Sequence, residues 1–215
     1  AILDENRAVF GYELFDRSTA THSHTAASDA ALLFNALCYA GSEALGSKKI
    51  VFINCTHESL AGGHLELVHP EKVVLEVPTL AANATPEQIE QLLPTLQALR
   101  TRGFRLAFSQ DVLRRAYGSW LPLANFIKLD MLAIKPELIE PLVKYVRANA
   151  QATLIAEKVE TAEQHERMAA LGVKLFQGYW FARPAMVKAQ TIRPSQATII
   201  QLINLVRQQA STDEI

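Results

Sequence analysis

The sequence of 215 residues predicts an α/β fold in which parallel strands alternate with helices and close into an eight-stranded barrel. Short apolar runs recur along the chain, and each of them carries a polar side chain at or near its end. Most of these runs lead into a segment with the apolar spacing of a helix. The pattern is clearest in LIAEKVET, residues 154–161, where an apolar run ends in Glu157 and a helical pattern follows. The carboxyl ends of such strands share one rim, so we expect the functional site there.

The N-terminal part of the chain predicts an irregular start to the barrel. Two short apolar segments flank the polar turn Asp4–Arg7, which is typical of an antiparallel hairpin, and both arms count toward the eight strands. Residues 18–28 are small, polar and rich in Thr and His, and they predict a loop. His22 and His24 have the spacing of a metal pair, but a solvated loop is the preferred interpretation because no further ligands lie nearby. A helix is predicted at 30–45.

The remaining chain alternates predicted strands and helices. The strands are placed at 50–53, 73–77, 105–108, around Ile127, at Leu154 and at 175–181. The helices are placed weakly at 59–67, and more clearly up to Arg102, at 136–148 and at 162–171. The helix that ends at Arg102 has Thr85 as N-cap, Pro86 as its first residue and Gln88 where a capping box needs it. A further amphipathic helix is predicted at 195–209.

Composition excludes several classes of partner. Lys and Arg number 21 and Asp and Glu number 22, so a net charge of -1 indicates neither a nucleic acid polymer nor a membrane surface as partner. No apolar run approaches the roughly 20 residues that span a bilayer, and no signal peptide is present. Two cysteines, Cys38 and Cys55, form neither a disulfide framework nor a zinc site. These observations predict a cytoplasmic protein.

Six motifs occur in an order that resembles the EAL domain, the cyclic di-GMP phosphodiesterase family. They are GYELFDR at 11–17, INCT around Asn54, LEVP around Glu76, IKLD around Lys128, AEKVET at 156–161 and QGYWFARP at 177–184. The form GYEL is similar to the branch in which an EAL domain precedes an HDOD domain. On that resemblance, residues 1–190 form the EAL-like barrel, and residues 191–215 form a helix that connects it to an HDOD domain.

The resemblance also implies a set of site residues. Active members of the family use a modified TIM-like (β/α)8 barrel and two divalent cations to hydrolyse cyclic di-GMP to its linear form. Hard cations take oxygen ligands, and two of them can generate hydroxide and stabilise the leaving oxygen. By resemblance, the metal ligands are Glu13, Asn54 and Glu76, the phosphate contact is Arg17, the lysine that holds the nucleophilic water is Lys128, the general base is Glu157, and the supporting glutamine is Gln177.

Departures from the family pattern predict a degenerate site. Ser109 and Gln110 stand where the family has two aspartates that bind both metals. Each lost charge interaction is worth several kcal/mol at an effective dielectric constant of about 20. Asp111 comes one or two residues late, and a slip of one residue turns a side chain to the opposite face. A glycine-rich loop is replaced by residues 112–115, and Lys158 stands where the family has glycine. We therefore expect that phosphodiesterase activity has been lost.

Individual residues also have simpler interpretations. In the simpler interpretation, the role of Lys128 is limited to neutralising Glu157 or Glu76. Residues 177–179 are then retained for backbone geometry and packing. Arg114 and Arg115 are expected on a solvated face, with a contact to phosphate or to a protein partner as the alternative.

Three functions remain open at this point. The leading one is an interaction module in bacterial signal transduction that binds a protein partner and needs no cofactor. The second is a receptor that binds cyclic di-GMP through Arg17 and the rim without cleaving it. The third is a weak phosphodiesterase that uses Mg²⁺ or Mn²⁺.

Overall fold

The structure is a computed structural model, and it describes residues 1–14, 49–62, 65, 66, 68 and 70–181. Within these residues eight strands form a closed barrel in sequential order, which confirms the predicted fold class. The strands are β1 Ile2–Asp4, β2 Val9–Leu14, β3 Ile50–Asn54, β4 Val73–Glu76, β5 Arg105–Ser109, β6 Ala124–Asp130, β7 Thr153–Glu157 and β8 Leu175–Phe176.

One strand runs against the others. β1 is antiparallel to both of its neighbours, β2 and β8, whereas every other neighbouring pair is parallel. The predicted hairpin is therefore confirmed, and its turn is held by Asp4, whose Oδ1 accepts hydrogen bonds from the amides of Asn6 at 2.9 Å and Ala8 at 2.8 Å. Because β1 is reversed, it runs from the rim side of the barrel toward the end where the parallel strands begin.

Four α-helices lie outside the barrel in the described part of the chain: α1 His57–Leu60, α2 Pro86–Thr101, α3 Pro136–Asn149 and α4 Ala162–Ala170. α2 begins with the predicted capping box. Thr85 Oγ1 accepts from the amide of Gln88 at 3.3 Å, and Gln88 Oε1 accepts from the amide of Thr85 at 2.9 Å. The weak helix predicted at 59–67 is wrong in extent, since α1 has only four residues and ends before Gly62.

The strand predicted at 175–181 is also wrong in extent, because β8 has only two residues. After it the backbone turns across the end of β7, where Val159 donates its amide to Gln177 O at 3.0 Å and Trp180 donates to Val159 O at 3.1 Å. Gly178 makes this approach possible, since an added Cβ would lie 2.1 Å from Val159 O. Trp180 and Phe181, which the prediction placed in the strand, pack instead against His165 of α4, with ring centroids 4.8 and 5.4 Å from that of the histidine.

An apolar layer fills the lower interior of the barrel, at the end where the parallel strands begin. Its buried members are Ile2, Phe52, Val74, Ala107, Phe126, Ile155 and Leu175. The rings of Phe52 and Phe126 meet edge to face with centroids 5.2 Å apart, and Phe10 lies 6.0 Å from Phe126. A second, larger core lies between the strands and the outer helices. The interior is therefore closed by side chains on the side away from the rim.

Several sequence-based expectations lie outside the described residues. These are Arg17, Cys38, the pair His22 and His24, the helix at 30–45, the helix at 195–209 and the proposed boundary near residue 190. Among the helices of the described ranges, none has the length and apolarity needed to cross a membrane.

Candidate functional site at the strand ends

The alternation of side chains along each strand positions a polar layer above the apolar one. Successive side chains of a strand point to opposite faces, so a residue two positions after an inward-facing one also faces inward. Phe52, Val74, Ala107, Phe126, Ile155 and Leu175 face inward, and the residues two positions later are Asn54, Glu76, Ser109, Lys128, Glu157 and Gln177. The sequence thus brings almost every predicted site residue of these strands to one level at the rim.

Lys128 lies at the centre of this layer. Its Nζ is 2.9 Å from Glu13 Oε2 and 2.9 Å from Glu76 Oε2. Glu157 Oε2 lies 3.1 Å from the same nitrogen. The lysine side chain is 6% exposed, so these contacts are shielded from solvent. The expectation that Lys128 neutralises neighbouring carboxylates therefore matches the geometry, and it involves Glu13 in addition to the two residues named from the sequence.

Glu13 is the second centre of the layer. Asn54 Nδ2 donates to its Oε1 at 3.1 Å, and Gln177 Nε2 donates to its Oε2 at 2.6 Å. The four residues Glu13, Asn54, Lys128 and Gln177 come from different parts of the barrel and are joined through one carboxylate. The Oε1 atom of Gln177 is buried and has no hydrogen-bond partner within the described part of the chain.

Charge is unevenly balanced in the layer. If all groups were ionised, the three carboxylates around one ammonium would leave two negative charges uncompensated. Burial, together with the charges of Glu13 and Glu157, raises the pKa of Glu76 to about 8, although Lys128 acts in the opposite direction. Burial therefore favours the neutral form of Glu76, while Lys128 favours its carboxylate form.

The other two central groups remain charged. Burial acts against the charge of Glu13, but Lys128 and the hydrogen bonds from Gln177 and Asn54 outweigh it and lower the pKa of that carboxyl. Burial likewise acts against the ammonium of Lys128, and the carboxylates outweigh it, first Glu76 and then Glu13, so that its pKa is raised. A charged Lys128 bound to a charged Glu13 forms the fixed part of the layer.

Ser109 and Gln110 are engaged with the backbone. Ser109 Oγ accepts a hydrogen bond from the amide of Asp111 at 3.3 Å, and Gln110 Oε1 accepts from the amide of Asp130 at 3.1 Å. Asp111 lies outside the polar layer, with 54% of its side chain exposed and Arg114 Nε at 3.9 Å. Neither the two substituted positions nor Asp111 adds a carboxylate to the layer.

Sequence reasoning gave Asp130 no role in the site and treated Lys158 only as a departure from the family pattern, although both belong to the rim. Lys158 Nζ lies 2.5 Å from Asp130 Oδ2, and the amides of Leu132 and Ala133 donate to Asp130 Oδ1 at 2.9 and 3.1 Å. Asp130 follows Lys128 by two residues, so the same alternation that identifies the layer could have placed it. No local sequence pattern predicts the contact between Asp130 and Lys158, because the two residues are 28 positions apart.

The arrangement does not fit a pair of divalent cations. Such ions need converging oxygen atoms, whereas the carboxylates here converge on an ammonium, and Asn54 and Gln177 turn amide nitrogens toward Glu13. Ser109 supplies a neutral hydroxyl already bound to an amide. Within the described ranges, no group of three or more His, Cys, Asp or Glu side chains is disposed to hold a metal.

Comparison with known proteins identifies related sequences. The EAL domain profile matches residues 48–184. The chain is 28% identical over 217 residues to the cyclic di-GMP phosphodiesterase CdgJ of Vibrio cholerae, with 96% of this chain and 48% of the relative covered. It is 24% identical to the uncharacterized protein YuxH of Bacillus subtilis, with 94% and 50% covered. The chain thus spans about half the length of these curated relatives.

Solved structures show the same fold. The YkuI protein of Bacillus subtilis, which has an EAL domain in complex with cyclic di-GMP and calcium, is 20% identical with a TM-score of 0.63 and coverage of 97% of this chain and 61% of that one. A standalone EAL protein of Vibrio cholerae O395 in its cyclic di-GMP bound form is 18% identical, with a TM-score of 0.63 and coverage of 91% and 94%. Since the family profile covers more than half of the sequence, the chain belongs to the EAL domain family.

Proposed function

We propose that this EAL domain is degenerate: it does not hydrolyse cyclic di-GMP, and it acts in signal transduction as an interaction module for a protein partner. The observation that carries the proposal is the position of Lys128 Nζ, which lies within 3.1 Å of the carboxylates of Glu13, Glu76 and Glu157. Between the strands of Glu76 and Lys128, β5 contributes Ser109 rather than an acidic side chain. In an EAL domain with this polar layer, the charged side chains form ion pairs with one another.

The hydrogen-bond capacity of Lys128 supports the absence of hydrolysis. An ammonium has three N–H donors. Lys128 Nζ donates to Glu13 and to both carboxyl oxygens of Glu76, so its donors are used within the layer rather than to hold a nucleophilic water. The roles assigned by resemblance, Lys128 for the water, Glu157 as base and Gln177 as support, are on this proposal vestigial.

Electrostatics also disfavours the nucleotide at the layer. A cyclic dinucleotide carries two phosphodiester charges, and the layer has more carboxylates than ammonium groups. Like charges in a partly buried site repel one another by several kcal/mol at an effective dielectric constant of about 20. The interaction module is therefore preferred to the receptor, although similar EAL proteins have been solved with cyclic di-GMP bound.

Calorimetry with cyclic di-GMP tests the proposal. The protein is titrated with and without Mg²⁺ or Mn²⁺, and the recovered nucleotide is then separated by chromatography. We expect no saturable heat and no linear product, while the EAL domain of YkuI gives binding under the same conditions. Saturable binding of intact nucleotide would instead establish a receptor. Linear product that depends on added metal would establish the weak phosphodiesterase and overturn the proposal.

We further propose that residues 191–215 connect the barrel to an HDOD domain. The motif GYEL at residues 11–14 and the amphipathic pattern at 195–209 support this assignment. Protein partners would then be bound by the barrel surface together with that domain. Measurement of the intact mass of the native protein tests the assignment, because a mass near that of this chain alone would contradict it.

A further inference from the structure

Lys158 occupies a backbone conformation that lysine does not favour. Its φ is +56°, in the left-handed region that glycine adopts freely and other residues adopt at a cost. An unfavourable conformation persists where the surrounding contacts offset it. The contact at Lys158 is the ion pair with Asp130 Oδ2 at 2.5 Å, and the carboxylate side chain is only 11% exposed. The ion pair with Asp130 is therefore the contact that lysine, rather than glycine, provides at this position.

Asp130 is held from two sides by residues of neighbouring strand ends. Gln110, directly after β5, accepts the amide hydrogen of Asp130 at 3.1 Å. Lys158, directly after β7, reaches the carboxylate of the same residue. Asp130 ends β6, which pairs with β5 on one side and with β7 on the other. These three residues, which we call the Asp130 clasp, therefore fasten three adjacent strand ends together.

We propose that Lys158 is a tethered cation of the rim, which through the Asp130 clasp stabilises the ends of β5, β6 and β7 without a divalent ion. This inference rests on the proposed function only in that both assign no resident metal to the rim. Two ammonium groups serve the rim carboxylates: Lys128 binds Glu13, Glu76 and Glu157, and Lys158 binds Asp130.

The covalent tether gives Lys158 an advantage over an ion from solution. A group attached to the same chain acts at a high effective concentration, so a free cation must displace it to reach Asp130. The amides of Leu132 and Ala133 both donate to Oδ1 of that carboxylate, while Lys158 binds Oδ2. The clasp thus leaves little unsatisfied oxygen at Asp130 for a metal to bind.

Thermal unfolding with and without cations tests the clasp. In the wild-type protein we expect the same melting midpoint in chelator and in millimolar Mn²⁺. In Lys158→Met, which keeps a linear side chain but removes the charge, we expect a midpoint lower by about 2 to 4 °C in chelator. Added Mn²⁺ should raise the midpoint of this variant saturably, because Asp130 has lost its counterion. The matched control is Lys144→Met, which removes the exposed pair with Glu140 and should change neither quantity.

A second substitution separates charge from backbone strain. Lys158→Gly removes the ion pair but relieves the left-handed conformation, so its midpoint in chelator should exceed that of Lys158→Met, with the same response to Mn²⁺. The proposal is overturned if the wild-type midpoint rises with Mn²⁺, if Lys158→Met is as stable as Lys144→Met, or if neither Lys158 variant responds to Mn²⁺. None of these measurements contains nucleotide, so their failure is distinguishable from detection of cyclic di-GMP hydrolysis.

Discussion

Lys128 and Glu13 are joined across the interior of the barrel by a contact of 2.9 Å, although 115 positions separate them in the sequence. The lysine belongs to β6 and the glutamate to β2, so the pair spans the barrel rather than linking neighbouring strands. Both side chains are almost completely removed from solvent. The pair therefore links the stability of the fold to the charge of the candidate site.

Replacement of Lys128 by methionine should destabilise the protein strongly. The substitution leaves Glu13, Glu76 and Glu157 without their common counterion, and breaking a buried ion pair from one side costs about 3 to 5 kcal/mol. Chemical denaturation followed by circular dichroism gives the free energy of unfolding. Lys144→Met is the control, since its ion pair is exposed. Equal losses in the two variants would show that the polar layer does not depend on Lys128.

Introduction of a carboxylate at Ser109 should make the fold sensitive to cations. Ser109 follows inward-facing Ala107 by two residues, so Ser109→Asp adds a negative charge to a layer that already has an excess. We expect a loss of about 1 to 3 kcal/mol in chelator, part of which Mn²⁺ restores. Ser109→Asn has the same shape without the charge and should show no cation response. Identical behaviour of the two variants would contradict the charge argument.

The stability of the wild-type protein should fall at alkaline pH because of Glu76. Its folded-state pKa of about 8 lies above the usual 4.5, so the folded state binds the proton more tightly than the unfolded state. The resulting stabilisation is complete below about pH 4.5 and is lost as pH rises through 8.

Glu76→Gln provides the comparison, because it keeps a neutral side chain at every pH. The wild-type free energy of unfolding should decrease between pH 6 and pH 9 by at least about 1 kcal/mol more than that of Glu76→Gln. Parallel pH profiles of the two proteins would mean that Glu76 is ionised in the folded state throughout this range.

Gly178 should not tolerate a larger residue. A Cβ at this position would lie 2.1 Å from Val159 O and 2.3 Å from Val159 N, and both are backbone atoms in the turn that brings Gln177 to Glu13. Gly178→Ala should cost roughly 3 kcal/mol or more. Gly118→Ala is the control, because the nearest atom to its added Cβ is Arg115 O at 3.4 Å. Comparable stability of both variants would show that the turn after β8 rearranges readily.

Local signals in the sequence predicted much of the fold. The apolar run that ends in Glu76 predicts the strand Val73–Glu76, and the inward-facing Val74 two positions earlier sets the direction of Glu76. The cap at Thr85 sets the start of α2. Both depend only on neighbouring residues. The end of β8 was missed because Gln177 forms its backbone bonds with residues 156 and 159 rather than continuing a ladder.

In the site, too, features set by neighbouring residues could be predicted, whereas those set by distant contacts could not. The rim position of Lys128 could be predicted from strand periodicity, since Phe126 and Lys128 share a face. The Asp130 clasp could not, because it depends on the left-handed backbone of Lys158 and on contacts between residues 20 and 28 positions apart. Arg17 lies outside the described residues, so its assignment as a phosphate contact stays a prediction.

The apolar layer beneath Lys128 closes the barrel interior at the end away from the rim. Phe52 and Phe126, which are 0% and 6% exposed, close the passage toward the lower mouth. Solvent protons can therefore exchange with the Lys128 ammonium only through the rim. A protein partner that docked over the rim would shield the barrel interior from solvent and slow that exchange. The exchange rate of the ammonium hydrogens would then report on partner occupancy even if the partner touches none of the four charged residues.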